Sequence, residues 1–258
     1  MRVARYAVDD TIRFGIVELA EDGGQFPDSV SDLTGDPMAG PVNLTGARHL
    51  IDDIRFLAPV IPRSKVVAFN PPGPRDDLAS PASLERALLL KPNTGVIGPA
   101  SPVVCPPSAG ALVSRGRLAI VIGRIGKMVP PERVPEIIFG YTVADDVRAS
   151  GAIGAAASFD TFTPIGPWIV THLSLEEATT VGITTTSGEA TSRGTVKESP
   201  WGIAELVSAC SVIMTLLPGD LILTGPTADG PAIQPATEVT ITIDEVGTLE
   251  HTVVEDDI

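Results

Sequence analysis

The sequence predicts an α+β fold that is rich in short β-strands. Turn-forming residues punctuate the whole chain of 258 residues, with 25 Gly and 24 Pro, and this favours short strands joined by turns over long helices. Hydrophobic residues make up 43% of the chain, which is enough for a packed core, while aromatic residues make up only 4%. We therefore predict a mixed β-core that closes on itself and is filled mainly by aliphatic side chains.

The N-terminal stretch has the patterning of a small leading subdomain, which we place at residues 1–60. Arg2 to Val8 and Thr11 to Leu19 are strand-like runs on either side of a turn-type Asp pair, and this pattern predicts a β-hairpin. A stretch rich in Gly, Asp, Pro and Ser follows. Within it we predict a short helix after Ser29, and we predict another helix over residues 46–55.

The remaining residues, 61–258, have the sequence pattern of one main domain built from short strands. Runs of aliphatic residues predict buried strands, and one segment alternates apolar and polar side chains as a half-buried strand does. The predicted strands are Val66 to Phe69, Leu118 to Gly123, Phe139 to Val143, Leu221 to Leu223, Val239 to Ile243 and His251 to Val254. Short helices are predicted over Pro131 to Ile138 and Pro200 to Cys210.

The net charge and the cysteine content indicate which partners and which cellular compartment to expect. The net charge of -14 would repel nucleic acid and anionic membranes, so neither is expected as a partner. Cys105 and Cys210 lie far apart and outside any CxxC pattern, which is typical of reduced thiols in a cytosolic protein. The N-terminus has no apolar signal core, and no apolar run approaches the roughly 20 residues that span a bilayer. We expect a soluble, cytoplasmic protein.

Five segments of the main domain carry a recognisable series of motifs. They are Leu118 to Gly123, FGYTVADDV from Phe139, SFDTFTPIGPW from Ser158, LPGDLILTG from Leu217, and Val246 to Leu249 followed by Thr252 to Val254. In this order and spacing they resemble the fumarylacetoacetate hydrolase family, and the resemblance extends over nearly all of the chain. It implies the family's mixed β-roll around a central site, a small-molecule substrate, and a homodimer.

The resemblance also implies a chemistry from which this sequence departs. Family members act on oxo acids and β-dicarbonyls, with a divalent cation that is held by carboxylates and stabilises an enolate. Arg115 and Arg117 stand where the family has a Glu-x-Glu pair, and only Asp146 remains among the ligands. The loop at residues 70–74, where many members carry a basic His, has none. One carboxylate beside two guanidinium groups does not suit Mg²⁺, so we predict no metal and no cofactor.

The two arginines are the leading catalytic candidates, together with Asp146. Arg115 and Arg117 lie two positions apart, so on a strand they point to the same face. One hypothesis is that they replace the cation and hold a carboxylate or an enolate. The alternative is that the site has decayed and they only pair with Asp145 or Asp146. Between arginines, Asp146 is expected to have a lowered pKa and to orient an arginine, whereas Asp145 is expected to be solvated or to cap a turn.

Further residues are predicted to bind substrate, mainly from the resemblance. They are Lys91, Arg148, Asp160, Thr161, Thr224 and Gly225. Thr224 and Gly225 are expected to present a hydroxyl and a backbone N–H to a carboxylate. Asp160 and Thr161 either contribute to the site or hold their own loop. The histidines lie at none of the motif positions and are predicted to be structural or exposed, and the Gly- and Ala-rich stretch at 150–157 is predicted to be a lid.

Three functional hypotheses remain open on the sequence. The first is a repurposed, metal-independent enzyme that tautomerises, decarboxylates or cyclises an enolisable oxo acid or β-dicarbonyl, such as an intermediate of secondary metabolism. The second is a non-catalytic member that binds a ligand or partners an active paralogue. The third is an ordinary metal-dependent hydrolase or decarboxylase. An open cavity ringed by arginines would favour the first, and a cavity filled by side chains would favour the second.

Overall fold

The structure is a computed structural model that describes residues 1–20, 27–69, 87–150, 156–226 and 228–256. The loop at 70–74 and most of the predicted lid at 150–157 lie outside these residues. No helix in the described ranges has both the length and the apolar character required to cross a bilayer.

Strands far outnumber helices in the described part of the chain, which confirms the α+β, β-rich class. The strands are β1 (Arg2–Val8), β2 (Thr11–Glu18), β3 (Ser29–Leu33), β4 (Leu44–Leu50), β5 (Arg55–Phe56), β6 (Val66–Phe69), β7 (Leu88–Lys91), β8 (Val96–Ile97), β9 (Val103–Cys105), β10 (Leu112–Val113), β11 (Gly116–Ile122), β12 (Ile138–Asp145), β13 (Arg148–Ala149), β14 (Thr163–Val170), β15 (Gly182–Ser187), β16 (Ala190–Thr195), β17 (Leu221–Thr224), β18 (Ala232–Ile233), β19 (Glu238–Ile243) and β20 (Gly247–Glu255). The helices are α1 (Leu175–Thr180) and α2 (Ile203–Ile213), with 3-10 turns at Ile51–Asp53, Asn93–Gly95, Pro131–Glu136 and Val196–Glu198.

A large mixed sheet forms the centre of the molecule. Its strands run in the order β4-β3-β2-β1-β14-β12-β11-β17-β6-β7, with β5 paired to β1 and β8 paired to β14. The β6–β17 and β8–β14 pairs are parallel, and the other pairs are antiparallel. A second sheet of five strands, in the order β16-β15-β19-β20-β9, and a small sheet of β13, β10 and β18 complete the architecture.

The central strand β11 shows how the aliphatic sequence builds this core. Leu118 and Ile120 belong to the main hydrophobic cluster, which also contains Ile241 of β19 in the second sheet and Leu206 of α2. Ala119, whose side chain points to the opposite face of the strand, belongs to a separate cluster in which most side chains are alanine or valine. Because successive side chains on a strand point to opposite faces, both faces of β11 are covered, and all seven of its residues are buried.

The N-terminal stretch contains one confirmed prediction and two that are wrong. The hairpin is present as β1 and β2, with strand bounds within a residue of the prediction. The helix expected after Ser29 is instead β3, and the helix expected over residues 46–55 is instead β4 followed by a 3-10 turn. These segments pair in sequence with β2 and with each other, so tertiary pairing overrides a weak local helical preference. Strand β1 also pairs with β14, so the N-terminal strands extend the central sheet.

Candidate functional site

Two adjacent aspartates at the end of β12 point in opposite directions and organise two different clusters. Asp145, the last residue of β12, is paired with Gly116 at the start of β11. Its carboxylate contacts His251 on β20 of the second sheet. Asp146 is one position further and faces the other side, where it contacts Lys91 at the end of β7. Alternation along the strand therefore separates two neighbouring carboxylates into two environments.

Asp146 is the centre of a buried ionic cluster. Its Oδ1 accepts a hydrogen bond of 2.7 Å from Lys91 Nζ and one of 2.9 Å from Arg148 Nε. Its Oδ2 accepts a hydrogen bond of 2.7 Å from Arg148 Nη2, so the Arg148 fork binds the carboxylate through two parallel bonds. The Asp146 side chain is 1% exposed. Arg148, for which a surface position was the alternative, is itself buried.

The charge balance around Asp146 determines its protonation. Burial by itself would raise the pKa of the Asp146 carboxyl, but the charges of Lys91 and Arg148, the hydrogen bonds from Arg148 and the charge of Arg117 together hold that pKa well below its usual range. Asp146 therefore stays ionised at neutral pH and is a weak proton acceptor. This arrangement matches the expectation that Asp146 orients an arginine, and the arginine in contact with it is Arg148.

Lys91 is completely engaged within this cluster. Its Nζ donates to Asp146 Oδ1 at 2.7 Å, to the Phe162 carbonyl at 3.0 Å and to the Val147 carbonyl at 3.2 Å. An ammonium group has three N–H donors, and all three have acceptors here. A direct contact between Lys91 and a substrate would require one of these bonds to break.

Arg117 is the third buried cation near Asp146. Among the described residues, no carboxylate is hydrogen-bonded to it. Its Nη1 donates to the carbonyl of Pro226, and the residue is 5% exposed. Burial lowers the pKa of Arg117 to about 10, with the charge of Asp146 opposing the shift, so the guanidinium remains positive at neutral pH. Lys91, Arg148 and Arg117 thus outnumber the nearby carboxylates, even when Asp145 is counted with Asp146.

Arg117 shares a small cavity with two residues predicted to bind substrate. Thr224 and Gly225 line this cavity, with Phe69 and Trp201 on its other walls, and its volume is about 20 Å³. That volume is close to what one water molecule needs. Thr224 Oγ1 is buried and has no hydrogen-bond partner among the described residues. The cavity therefore presents a guanidinium and an unsatisfied hydroxyl to whatever oxygen atom enters it.

Arg115 lies close to Arg117 in sequence but lines a different groove. It precedes β11, and its guanidinium forms an ion pair with Asp229 on the groove that also contains Gly230 and Arg193. Its side chain is 13% exposed, so it does not face open solvent. Neither Arg115 nor Arg117 forms an ion pair with Asp145 or Asp146 within the described ranges.

Asp145 belongs to a buried polar network that the sequence did not indicate. Its Oδ2 accepts a hydrogen bond of 2.8 Å from Ser114 Oγ and lies 2.9 Å from His251 Nε2, and its Oδ1 accepts the backbone N–H of Arg115 at 2.8 Å. The expectation of a solvated or capping aspartate is wrong, because the second sheet covers this face of β12 and leaves Asp145 fully buried. His251, one of the three histidines away from every motif, is brought to the site only by this packing.

Asp160 and Thr161 lie in the loop before β14, apart from the Asp146 cluster. Asp160 is exposed. The Oγ1 of Thr161 accepts a hydrogen bond of 2.9 Å from the backbone N–H of Val104, which attaches the loop to β9. The described contacts of Thr161 therefore match the loop-holding alternative, and no described contact joins either residue to Arg117.

Comparison with known proteins places this architecture in a family. The family model described as fumarylacetoacetate (FAA) hydrolase C-terminal matches residues 69–254, and the model described as Rv2993c-like, N-terminal, matches residues 1–59. The chain belongs to the fumarylacetoacetate hydrolase family. The fold expected from the resemblance, a member of this family with a β-rich α+β core, is confirmed by these matches and by the solved structures that resemble it.

Three relatives indicate what this branch of the fumarylacetoacetate hydrolase family contains. Protein Rv2993c of Mycobacterium tuberculosis is 35% identical over 263 residues, which cover 98% of each chain. The structure of a 5-carboxymethyl-2-hydroxymuconate delta-isomerase from Mycobacterium smegmatis is 36% identical, covers 99% of this chain and 100% of its own, and superposes with a TM-score of 0.83. The mitochondrial oxaloacetate tautomerase FAHD2A of Bos taurus is 30% identical over 220 residues, 78% of this chain and 70% of its own. These matches confirm the prediction that leaned towards an enzyme.

The described residues around Asp146 do not form a donor set that suits a divalent cation. The described residues contain no group of three or more His, Cys, Asp or Glu side chains that could hold a metal ion. Both oxygens of Asp146 already accept bonds from Lys91 and Arg148. Arg115 and Arg117 replace the carboxylates that the resemblance implied, and positive charge at both positions disfavours a cation.

Proposed function

We propose that the chain is an enzyme of enolisable oxo acids or β-dicarbonyls that stabilises an enolate with a guanidinium group in place of a divalent cation. Arg117 is assigned this role. The proposal rests on one observation: Arg117 is a buried, charged guanidinium without a carboxylate hydrogen-bonded to it among the described residues, and it shares a cavity with the unsatisfied hydroxyl of Thr224.

The charge of the cluster supports an anionic ligand. A buried cation that lacks a counter-ion is costly, and a ligand oxyanion would supply the missing charge. The guanidinium fork suits a carboxylate or the two oxygens of an enolised oxo acid. Thr224 would donate its hydroxyl proton to one of these oxygens. Asp146, Lys91 and Arg148 would act as positioning residues that keep the surrounding wall rigid.

Three reactions share this electrostatic requirement. In tautomerisation a C–H proton leaves, its electron pair moves into the carbonyl, and the resulting enolate oxygen accepts bonds from Arg117. In decarboxylation the C–C bond to the carboxylate breaks, CO2 leaves, and the same enolate is then protonated by water. In cyclisation the enolate carbon attacks a second carbonyl carbon of the same substrate, the π electrons of that carbonyl move to its oxygen, and the oxygen is then protonated by water. Asp146 is too weak a base to remove the proton, so solvent or the substrate's own carboxylate would carry it in tautomerisation.

Tautomerisation of oxaloacetate is the first reaction to test, since one relative carries that name. Protein treated with EDTA would be mixed with the enol form of oxaloacetate, and the decay of the enol absorbance and the formation of pyruvate would be recorded in parallel. We expect faster enol decay than in buffer, and no further acceleration when Mg²⁺ or Mn²⁺ is added. A rate that appears only with the added metal would contradict the proposal.

Variants of Arg117 separate its role from general stability. Arg117→Gln removes the charge and should lower kcat by about 10²–10³-fold, the usual effect of losing an oxyanion donor. Arg117→Lys keeps the charge but not the fork, and should retain only part of the rate. Arg133→Gln is the matched control, because Arg133 is an exposed arginine paired with Glu136 at the surface. Equal rates in Arg117→Gln and Arg133→Gln would exclude Arg117 from catalysis.

A second candidate function is ligand binding without turnover, and the size of the cavity favours it. The space beside Arg117 has a volume of about 20 Å³, which admits one oxygen atom rather than a whole oxo acid. Titration calorimetry with oxalate distinguishes the two candidates. Binding of oxalate that Arg117→Gln abolishes, in a protein that accelerates no enol decay, would support the ligand-binding function. The homodimeric state stays a prediction of the resemblance, and the cytoplasmic location stays a prediction of the cysteine pattern and the N-terminal sequence.

A further inference from the structure

A larger cavity lies at the junction between the N-terminal strands and the main domain. Its volume is about 420 Å³, and its walls include Arg5 of β1, Phe14 of β2, Val60 and Arg63. The turn at Gly219, which precedes β17, closes one side. The Arg117 cavity lies at Thr224, the other end of β17, so the two cavities are separated by roughly 10 Å of strand.

Two arginines face this cavity without an ion-pair partner in the described part of the chain. The one hydrogen bond of the Arg5 guanidinium is a long contact of 3.5 Å to the carbonyl of Ala58. Arg63 has no hydrogen bond or ion pair to any described residue. The single carboxylate among the described lining residues is that of Asp36, whose Oδ1 already accepts the backbone N–H of Met38 at 2.8 Å. The cavity therefore carries an excess of positive charge in a chain whose net charge is -14.

The partial burial of Arg5 makes this excess charge costly in the free protein. Burial lowers the pKa of Arg5, and the charge of Asp36 only partly opposes the shift. A guanidinium that has lost part of its water and has one long hydrogen bond keeps most of its five N–H donors available. An anion that accepts from those donors would restore the lost solvation.

The remaining wall is apolar. Phe14, Met38, Val60 and Ile61 line the cavity together with the aliphatic rings of Pro59 and Pro218. Ligand cavities commonly have volumes of about 300–1,000 Å³, mostly apolar walls and a few charged groups that set orientation, and they are frequent at the boundaries between domains. This cavity has a volume in that range and places charged groups beside apolar side chains, with polar and apolar atoms contributing about equally to its lining.

We propose that the cavity binds a small organic monocarboxylate, with the carboxylate between Arg5 and Arg63 and an apolar body against Phe14, Met38 and Val60. The site is separate from the Arg117 cavity, and it does not depend on the function proposed there. Its ligand contacts both the N-terminal strands and the turn before β17, so binding would hold the two parts of the chain together.

The probe is 1-naphthoate, a rigid monocarboxylate with an apolar body that fits within the cavity volume, and 1-naphthamide is the uncharged control of nearly the same shape. Binding would be measured by titration calorimetry and by the shift in Tm. We expect saturable 1:1 binding of naphthoate per chain, a Tm that rises with its concentration, and at least about tenfold weaker binding of naphthamide, since a charge-assisted hydrogen bond contributes more than one order of magnitude in affinity.

Three variants locate the binding. Arg5→Gln and Arg63→Gln should each weaken naphthoate binding by at least about tenfold, whereas Arg117→Gln and the surface control Arg133→Gln should leave it unchanged. Arg63 is exposed, so its variant remains informative if Arg5→Gln fails to fold.

Four results would overturn the proposal. They are the absence of naphthoate binding at millimolar concentration, equal binding of naphthamide, loss of binding in Arg117→Gln, and unchanged binding in both Arg5→Gln and Arg63→Gln. Light scattering adds one further outcome. If Arg63→Gln converts a dimer to monomers and naphthoate does not bind, the cavity is a contact between copies of the chain rather than a ligand site.

Discussion

Replacing Asp146 by Asn removes the carboxylate that pairs with two buried cations, Lys91 and Arg148, so it should destabilise the protein far more than an ordinary surface change. The Asp146 carboxylate accepts three charge-assisted hydrogen bonds, one from Lys91 and two from Arg148, and its side chain is 1% exposed. An Asn amide keeps one acceptor oxygen, but its NH2 group would face the Arg148 Nη2 donor. Lys91 and Arg148 would also remain buried without a counter-ion.

The size of the loss follows from that geometry. Breaking a buried ion pair by removing one partner costs about 3–5 kcal/mol, because the remaining charge stays desolvated. Small domains unfold with a free energy of about 5–15 kcal/mol, so Asp146→Asn should remove a large fraction of it. Asp229→Asn is the matched control, because Asp229 pairs with Arg115 at a position that is 61% exposed, and such pairs contribute about 0–1 kcal/mol.

Equilibrium unfolding in urea at pH 7 measures both variants by linear extrapolation. If Asp146→Asn does not fold, the double variant Lys91→Met with Asp146→Asn removes one uncompensated cation and should recover part of the stability. An unfolding free energy for Asp146→Asn within about 1 kcal/mol of the wild type, with the same m-value, would refute the reasoning, since it would mean that the cluster is hydrated in solution.

Three further predictions concern the same region. The pKa of Asp146 is lower in the folded protein than in the unfolded chain, so the stability that the ionised carboxylate contributes is present above the unfolded pKa and is lost as the pH falls. The wild type should therefore lose stability below about pH 4. Asp146→Asn should lose less over the same range, and acid unfolding curves of the two proteins would show the difference. His251→Gln should lower the unfolding free energy by about 1–3 kcal/mol, because it disturbs a fully buried bond to Asp145. No change in urea unfolding would mean that Ser114 and the backbone N–H of Arg115 hold Asp145 without His251. Thr224→Val should leave the unfolding free energy unchanged or raise it, because the buried hydroxyl has no described partner. The same variant should weaken oxalate binding in calorimetry. Unaltered oxalate binding would remove Thr224 from the proposed site.

Local patterning in the sequence was sufficient for eight of the twenty strands in the described residues. The turn-type pair at Asp9 and the aliphatic runs of β6, β11 and β17 predicted elements that the structure contains. These segments have a dominant local signal, either a turn residue or a fully apolar run. β3 and β4 lack such a signal, and they became strands because β2 offers an edge to β3 and β3 in turn offers one to β4. These edges are a property of the assembled sheet.

The sequence also indicated where the motifs depart from the family pattern, whereas the tertiary structure decided which charges meet. Arginines at the Glu-x-Glu position and a single remaining Asp146 could be read directly from the motifs. The meeting of Lys91 with Asp146, 55 residues apart, required β7 and β12 to be placed within one sheet. The separate environments of Asp145 and Asp146 depend on which face of β12 the second sheet covers. Pairing and burial of charges are set by contacts between distant segments, and a one-residue step along a strand reverses the face to which a side chain points.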